Sequence, residues 1–144
     1  MLFTIDASVF VSSCNKNETS HDDSNAFLRL VKRTETLIVE PSLMPVEVAA
    51  AIRRGCGNNQ LAVEYSEHLF KLPHAIFISL DNDFSLKAIR IASEYSLRGA
   101  DAIYVATAMQ YGSILVSLDK EQLNRAPSSL KTCSPKEARK YFPK

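Results

Sequence analysis

The chain has no hydrophobic run long enough to span a bilayer, no Cys-x-x-Cys pair, no internal repeat and no low-complexity linker. It also has no hairpin-turn dipeptides between its apolar segments. Each absence narrows the choice. Without a spanning run, a helical membrane protein is ruled out as a reading. The start, MLFTIDASVF, has no positive flank, and an acid interrupts its apolar run, so it reads as a first strand and not as a secretory leader. The three cysteines, Cys14, Cys56 and Cys133, are odd in number and far apart. That argues against a disulfide framework or a structural zinc site and fits a reducing, cytoplasmic setting. Each cysteine reads as a small, semi-buried apolar residue.

What is present is ordinary in bulk. The 144 residues, 46% hydrophobic and 23% charged, suit a single domain over 1–144 with a real core. The net charge of +1 conceals an asymmetry: residues 1–119 carry −4 and residues 120–144 carry +5. A basic tail beside an acidic body suits contact with a phosphate backbone; a solvated helix face is the plainer alternative.

Along the chain, apolar runs with β-branched members alternate with helical periodicity. Strands are expected at 2–5, 37–39, 75–80 and 114–118, all buried, with an edge strand at 130–133. Helices are expected at 7–13, 24–34, from a Ser42 cap to Gly55 and Gly57, and at 60–71. One more, capped by Asp81 or Asp83, carries Leu86, Ile89, Ile91 and Tyr95 and is broken by Gly99. Another runs from Asp101 to near Gly112. A short helix or turn follows Asp119, and Pro135 opens a last helix at 136–141. Residues 15–23 are polar and turn-like and read as a loop. Strands alternating with helices, without hairpins, indicate βα units and a parallel sheet, hence a three-layer α/β sandwich.

Four acids stand out within that pattern. Asp6 follows the first strand and Asp119 the fourth; Glu47 and Asp101 lie in the first turns of Ala-rich helices. Taken singly, each has a plain role as an N-cap or as a charge favoured by the helix dipole. Ser8 and Ser117 serve equally as second caps or as groups that orient the acids. Taken together, two acids after parallel strands and two at helix starts fall on one edge of a doubly wound sheet. Carboxylates gathered there raise one another's pKa values unless a cation neutralises them. All-oxygen ligands in an open site suit Mg²⁺ or Mn²⁺. No histidine accompanies the acids; His21, His68 and His74 read as surface residues.

These motifs resemble the PIN-domain ribonucleases, in particular the VapC-like toxins of prokaryotic toxin–antitoxin pairs. The resemblance rests on IDASVF around Asp6 and Ser8, PVEVAAAIRR around Glu47, and LRGADAIYVATA around Asp101 with Arg98 three residues earlier. It continues in ILVSLDKEQL with Ser117, Asp119 and Glu121, and in the closing TCSPKEA. It implies a parallel sheet of about five strands flanked by helices on both faces. It implies a divalent-metal-dependent endoribonuclease, usually a homodimer, held by a cognate antitoxin and acting on RNA in the cytoplasm. Asp6, Glu47, Asp101 and Asp119 would then be both catalytic residues and metal ligands, with Ser8, Arg98, Ser117 and Glu121 in support. Many members of the family have an aspartate where this chain has Glu121, or an asparagine nearby. Two other readings stay open: a PIN-fold module that binds RNA or protein with little catalysis, and a phosphate-handling enzyme built on a strand-end aspartate. The second needs a partner lysine that Lys120 does not supply.

Overall fold

A computed structural model describes residues 1–143; Lys144, counted in the basic tail, lies outside the described residues. Five short parallel strands form one sheet in the order β3-β2-β1-β4-β5. They are β1 (Leu2–Ile5), β2 (Leu37–Pro41), β3 (Ala75–Ile78), β4 (Ile114–Val116) and β5 (Thr132–Cys133). The helices are α1 (Ala7–Cys14), α2 (His21–Arg33), α3 (Leu43–Cys56), α4 (Asn59–Phe70), α5 (Asn82–Glu94), α6 (Gly99–Tyr111), α7 (Lys120–Arg125) and α8 (Pro135–Ala138), the last running into a 3₁₀ turn, Arg139–Tyr141.

From β1 the chain steps outward to β2 and β3, then returns across the sheet to β4 and β5 on the other side. With right-handed crossovers, the helices before the reversal and those in the return crossover after it lie on opposite faces. Accordingly α1 to α4 pack with one another, with α8 against α2, while α5 and α6 pack together and α6 lies over β1, β2 and β4. The expected three-layer α/β sandwich is what the chain forms. α6 is sandwiched between the sheet and α5, which is why it is rich in alanine: Ala102, Ala106 and Ala108 are all buried along it. It ends at Gly112, whose φ of +63° is a left-handed C-cap that other residues adopt only with strain.

Several local expectations are corrected. Ser42 does not cap α3; its backbone is already helical and its side chain makes no capping bond. Because α3 starts at Leu43, Glu47 lies beyond the first turn. The loop before α2 is shorter than expected, and that helix begins at His21. β3, like β5, is an edge strand and is not buried; Ile76 is 50% exposed. On α5 the buried residues are Phe84 and Ala88, while Leu86 and Ile89 face outward. Gly99 opens α6 and does not break α5. Cys133 is buried, but Cys14 and Cys56 are exposed free thiols. Asp81 does cap α5, accepting from the Phe84 amide, and Pro135 opens α8 behind a Ser134–Glu137 capping box.

Candidate active site

β1 and β4 are neighbours at the point where the strand order reverses, which is where open α/β sheets form a crevice beyond their carboxyl ends. Asp6 is the first residue after β1. It caps α1, its Oδ2 accepting from the Ser8 amide at 2.9 Å, while its Oδ1 accepts from Gln122 Nε2 at 3.3 Å. Asp119 lies three residues beyond β4. Its Oδ1 caps α7, accepting from the amides of Glu121 and Gln122. The two supporting hydroxyls hold this loop: Ser8 Oγ accepts from the Leu118 amide, and Ser117 Oγ accepts from the Asp119 amide. The strand-end acids are therefore stitched together through α7 and the loop before it.

Asp101, in the first turn of α6, enters from the other face of the sheet. Arg98, just before that helix, joins it to Asp119: Nε donates to Asp101 Oδ2 at 3.0 Å and a terminal nitrogen donates to Asp119 Oδ2 at 2.5 Å. Arg98 is thus paired with both carboxylates. Glu47 comes from α3 and feels the charges of Asp6, Asp101 and Arg98. The Glu121 side chain pairs with Arg125 at 2.6 Å.

Burial is the main reason that Asp6, Glu47 and Asp101 all hold their protons above the ordinary carboxylate range. For Asp6 the nearby Asp101 adds to the rise, and bonds from Ser8 and Gln122 oppose it. For Asp101, Arg98 opposes and Asp119 and Glu121 add. These mutual effects place the acids in one electrostatic neighbourhood. Their donors are all hard oxygens, and Glu47 Oε1 is buried without a partner among the described residues. The donor chemistry thus fits Mg²⁺ or Mn²⁺. Among the described residues no three acid, histidine or cysteine side chains converge into a ready-made cage. Arg98 is the cation that Asp101 and Asp119 share in this conformation.

Three residues of this cluster escape the sequence reading. Glu40, near the end of β2, is completely buried, and burial pushes its carboxyl well above the usual range. Tyr104, three residues after Asp101, is also wholly buried; its hydroxyl lies near Asp6 and Glu40 and close enough to the Glu47 carboxylate to interact with it, though short of hydrogen-bond geometry. Gln122, three residues after Asp119, is buried against Asp6. Only Glu40 leaves a signal in the sequence, an acid closing the apolar run LIVE.

Comparison with known proteins agrees with this fold. A search of curated protein sequences finds no significant match. Among solved structures, the chain is similar to the sarcin-ricin-loop-cleaving toxin VapC20 of Mycobacterium tuberculosis, with 14% identity over 90% of this chain and 98% of that one, TM-score 0.73. It is also similar to DNA-bound VapBC2 of Rickettsia felis, with 15% identity, 93% and 98% coverage and TM-score 0.67. A third is DNA-bound VapBC of Salmonella typhimurium, with 13% identity, 94% and 99% coverage and TM-score 0.68. At these identities the likeness is one of fold. The PIN domain model matches residues 3–127, from within β1 to just beyond α7, and so takes in every acid of the cluster; the chain belongs to the PIN-domain family.

Proposed function

We propose that the chain, acting as one PIN-like domain over 1–144, is a metal-dependent endoribonuclease that hydrolyses RNA phosphodiesters, and that it is the toxin of a type II toxin–antitoxin pair. The observation that carries this reading is the gathering of Asp6, Glu47, Asp101 and Asp119 at the switch point, with three of them held above their ordinary pKa values. Such a cluster is costly in a free protein and becomes favourable once a divalent cation binds.

Asp6, Glu47, Asp101 and Asp119 would hold Mg²⁺ or Mn²⁺. When bound, the metal lowers the pKa of a water and stabilises charge on the phosphoryl oxygens. The remaining work falls to the chain. Gln122 and the Ser8 amide fix the direction of the Asp6 carboxylate. Ser117 and Ser8 fix the loop that presents Asp119. Arg98 is held by site carboxylates but largely exposed, so it can exchange them for an incoming phosphate. The basic residues after Asp119 supply sequence-independent contacts to the RNA backbone. Cleavage leaves a 5′-phosphate and a 3′-hydroxyl. Glu121, paired with Arg125, acts through local charge. The cognate antitoxin, the homodimer and the cytoplasmic setting belong to the same proposal. In support, the similar solved structures include toxin–antitoxin complexes, and no described helix is long and apolar enough to cross a membrane.

A second reading, a binding module with little catalysis, draws on the shared Arg98 between Asp101 and Asp119. One variant separates the two. Asp101→Asn is expected to lower Mg²⁺-dependent RNA cleavage by purified protein on the order of 10²–10³-fold while the thermal transition is kept. Unchanged cleavage would sink the catalytic assignment.

A further inference from the structure

β1 pairs differently on its two sides. Toward β4 the register runs from Phe3 to Ile5, and the Asp6 amide still donates to Val116 O at 2.9 Å. Toward β2 it stops at Phe3↔Ile38. Successive amides of a strand point to opposite sides, so the Ile5 N–H faces β2. β2 meanwhile continues alongside β3 through Glu40↔Phe77 and Pro41↔Ile78. β1 and β2 thus separate just before Asp6, and two side-chain bonds fill the gap. Thr4 Oγ1 donates to Val39 O at 2.8 Å, and the Ile5 amide donates to Glu40 Oε1 at 2.6 Å.

We infer that Glu40 is a positioning residue for Asp6: its side chain stands in for the missing rung and aims the end of β1 into the crevice. This rests on the metal reading above. The residue type fits the task. An acceptor has to reach the Ile5 amide where no carbonyl does, and an apolar side chain would leave that buried N–H unpaired. A buried acid is costly in itself, and Glu40 Oε2 has no partner among the described residues. Its retention is therefore tied to the bond made by Oε1. A glutamine keeps that acceptor, whereas leucine of similar volume does not.

Mn²⁺ titration of the full chain by calorimetry tests the assignment. Glu40→Leu is expected to weaken Mn²⁺ binding on the order of 10-fold or more, as loss of a supporting bond does at metal sites. Glu40→Gln is expected to stay within about threefold of wild type. Wild-type affinity in Glu40→Leu overturns the inference. So does an equal loss in Glu40→Gln, which would make the Glu40 charge a ligand in its own right. If Glu40→Leu does not fold, Thr4→Val removes the companion bond together with the bond between Thr4 Oγ1 and Ser113 Oγ at 2.7 Å; a weakening of about twofold to tenfold is expected there, on the order of the loss of these two hydrogen bonds, and no change overturns the claim. A wild-type chain that takes up no Mn²⁺ defeats the metal reading instead. In that case amide exchange decides Glu40: Ile5 and Asp6 must lose protection in Glu40→Leu and keep it in Glu40→Gln, and equal protection in both overturns it.

Discussion

The two ends of β1 are built on opposite principles. Phe3 lies in an aromatic cluster, edge-on to Phe27 at 5.4 Å between ring centroids and stacked on Phe142 at 5.8 Å, with Tyr141 closing the side. Three residues later the same strand delivers Asp6 into a site where Glu40 Oε2, Glu47 Oε1, Tyr104 Oη and Gln122 Oε1 all lack partners among the described residues. One end is filled and satisfied. The other is buried, acidic and unsatisfied, and both share one sheet and one strand. The difference teaches where this fold relies on packing and where it keeps buried polar groups unpaired. Aromatic packing holds Phe3, and the carboxyl edge holds polar groups that a bound ion or ordered water would complete.

Breaking the filled end gives the largest expected effect. Phe3→Ala removes a fully buried ring and is expected to cost about 3–5 kcal/mol of stability, read as a lower midpoint in urea unfolding. Under conditions where the variant is folded, Mn²⁺ affinity is expected to match wild type. A matching loss of affinity would show that the two ends are not separable.

A smaller effect sharpens the other side. Arg98 neutralises Asp101 and Asp119 in the metal-free chain, so it competes with any cation for those oxygens. Arg98→Gln is expected to tighten Mn²⁺ binding on the order of 10-fold, seen by titration in the absence of RNA. An unchanged affinity would mean that the guanidinium moves aside without cost.

How far the sequence shows this contrast depends on what each feature requires. Strand positions and the strand-end acids are local patterns, and so Asp6 and Asp119 are visible as residues closing apolar runs. Glu47 and Asp101 are visible near the starts of Ala-rich helices, where an acid is ordinary taken singly and becomes telling only beside the two strand-end acids. β3 looks buried in sequence because AIFIS is apolar; its place at the edge is set by strand order, which no local run encodes. Leu86 and Ile89 follow helical spacing, yet α5 turns Phe84 and Ala88 inward, because the partner surface chooses the face. Glu40 reads as a strand terminator before Pro41. Only the divergence of β1 from β2 gives it a role. Tyr104 and Gln122 matter through contacts made across the fold, to which their neighbours in sequence give no clue.

The smallest effect is also the most telling, because it asks whether the acidic end costs stability. Asp6 holds its proton more readily folded than unfolded, chiefly through burial. The folded chain therefore binds more protons at this site than the unfolded one, and the group's contribution to stability falls as pH rises from its ordinary value of 3.8 through the raised one. Asp6→Asn removes that dependence. Its Oδ1 still accepts from the Ser8 amide, and its new amide group reaches Gln122 Oε1 after a flip of that side chain. Without metal, the variant is expected to match wild type below the ordinary value and to melt about 3–5 °C higher at neutral pH. Saturating Mn²⁺ should reverse the order, since it raises the wild-type transition and has one ligand fewer in the variant. Melting curves across about pH 3–8, with and without Mn²⁺, read both halves of the prediction. If Asp6→Asn tracks wild type at every pH, the strain assigned to this end of β1 is absent, and the contrast with Phe3 reduces to composition.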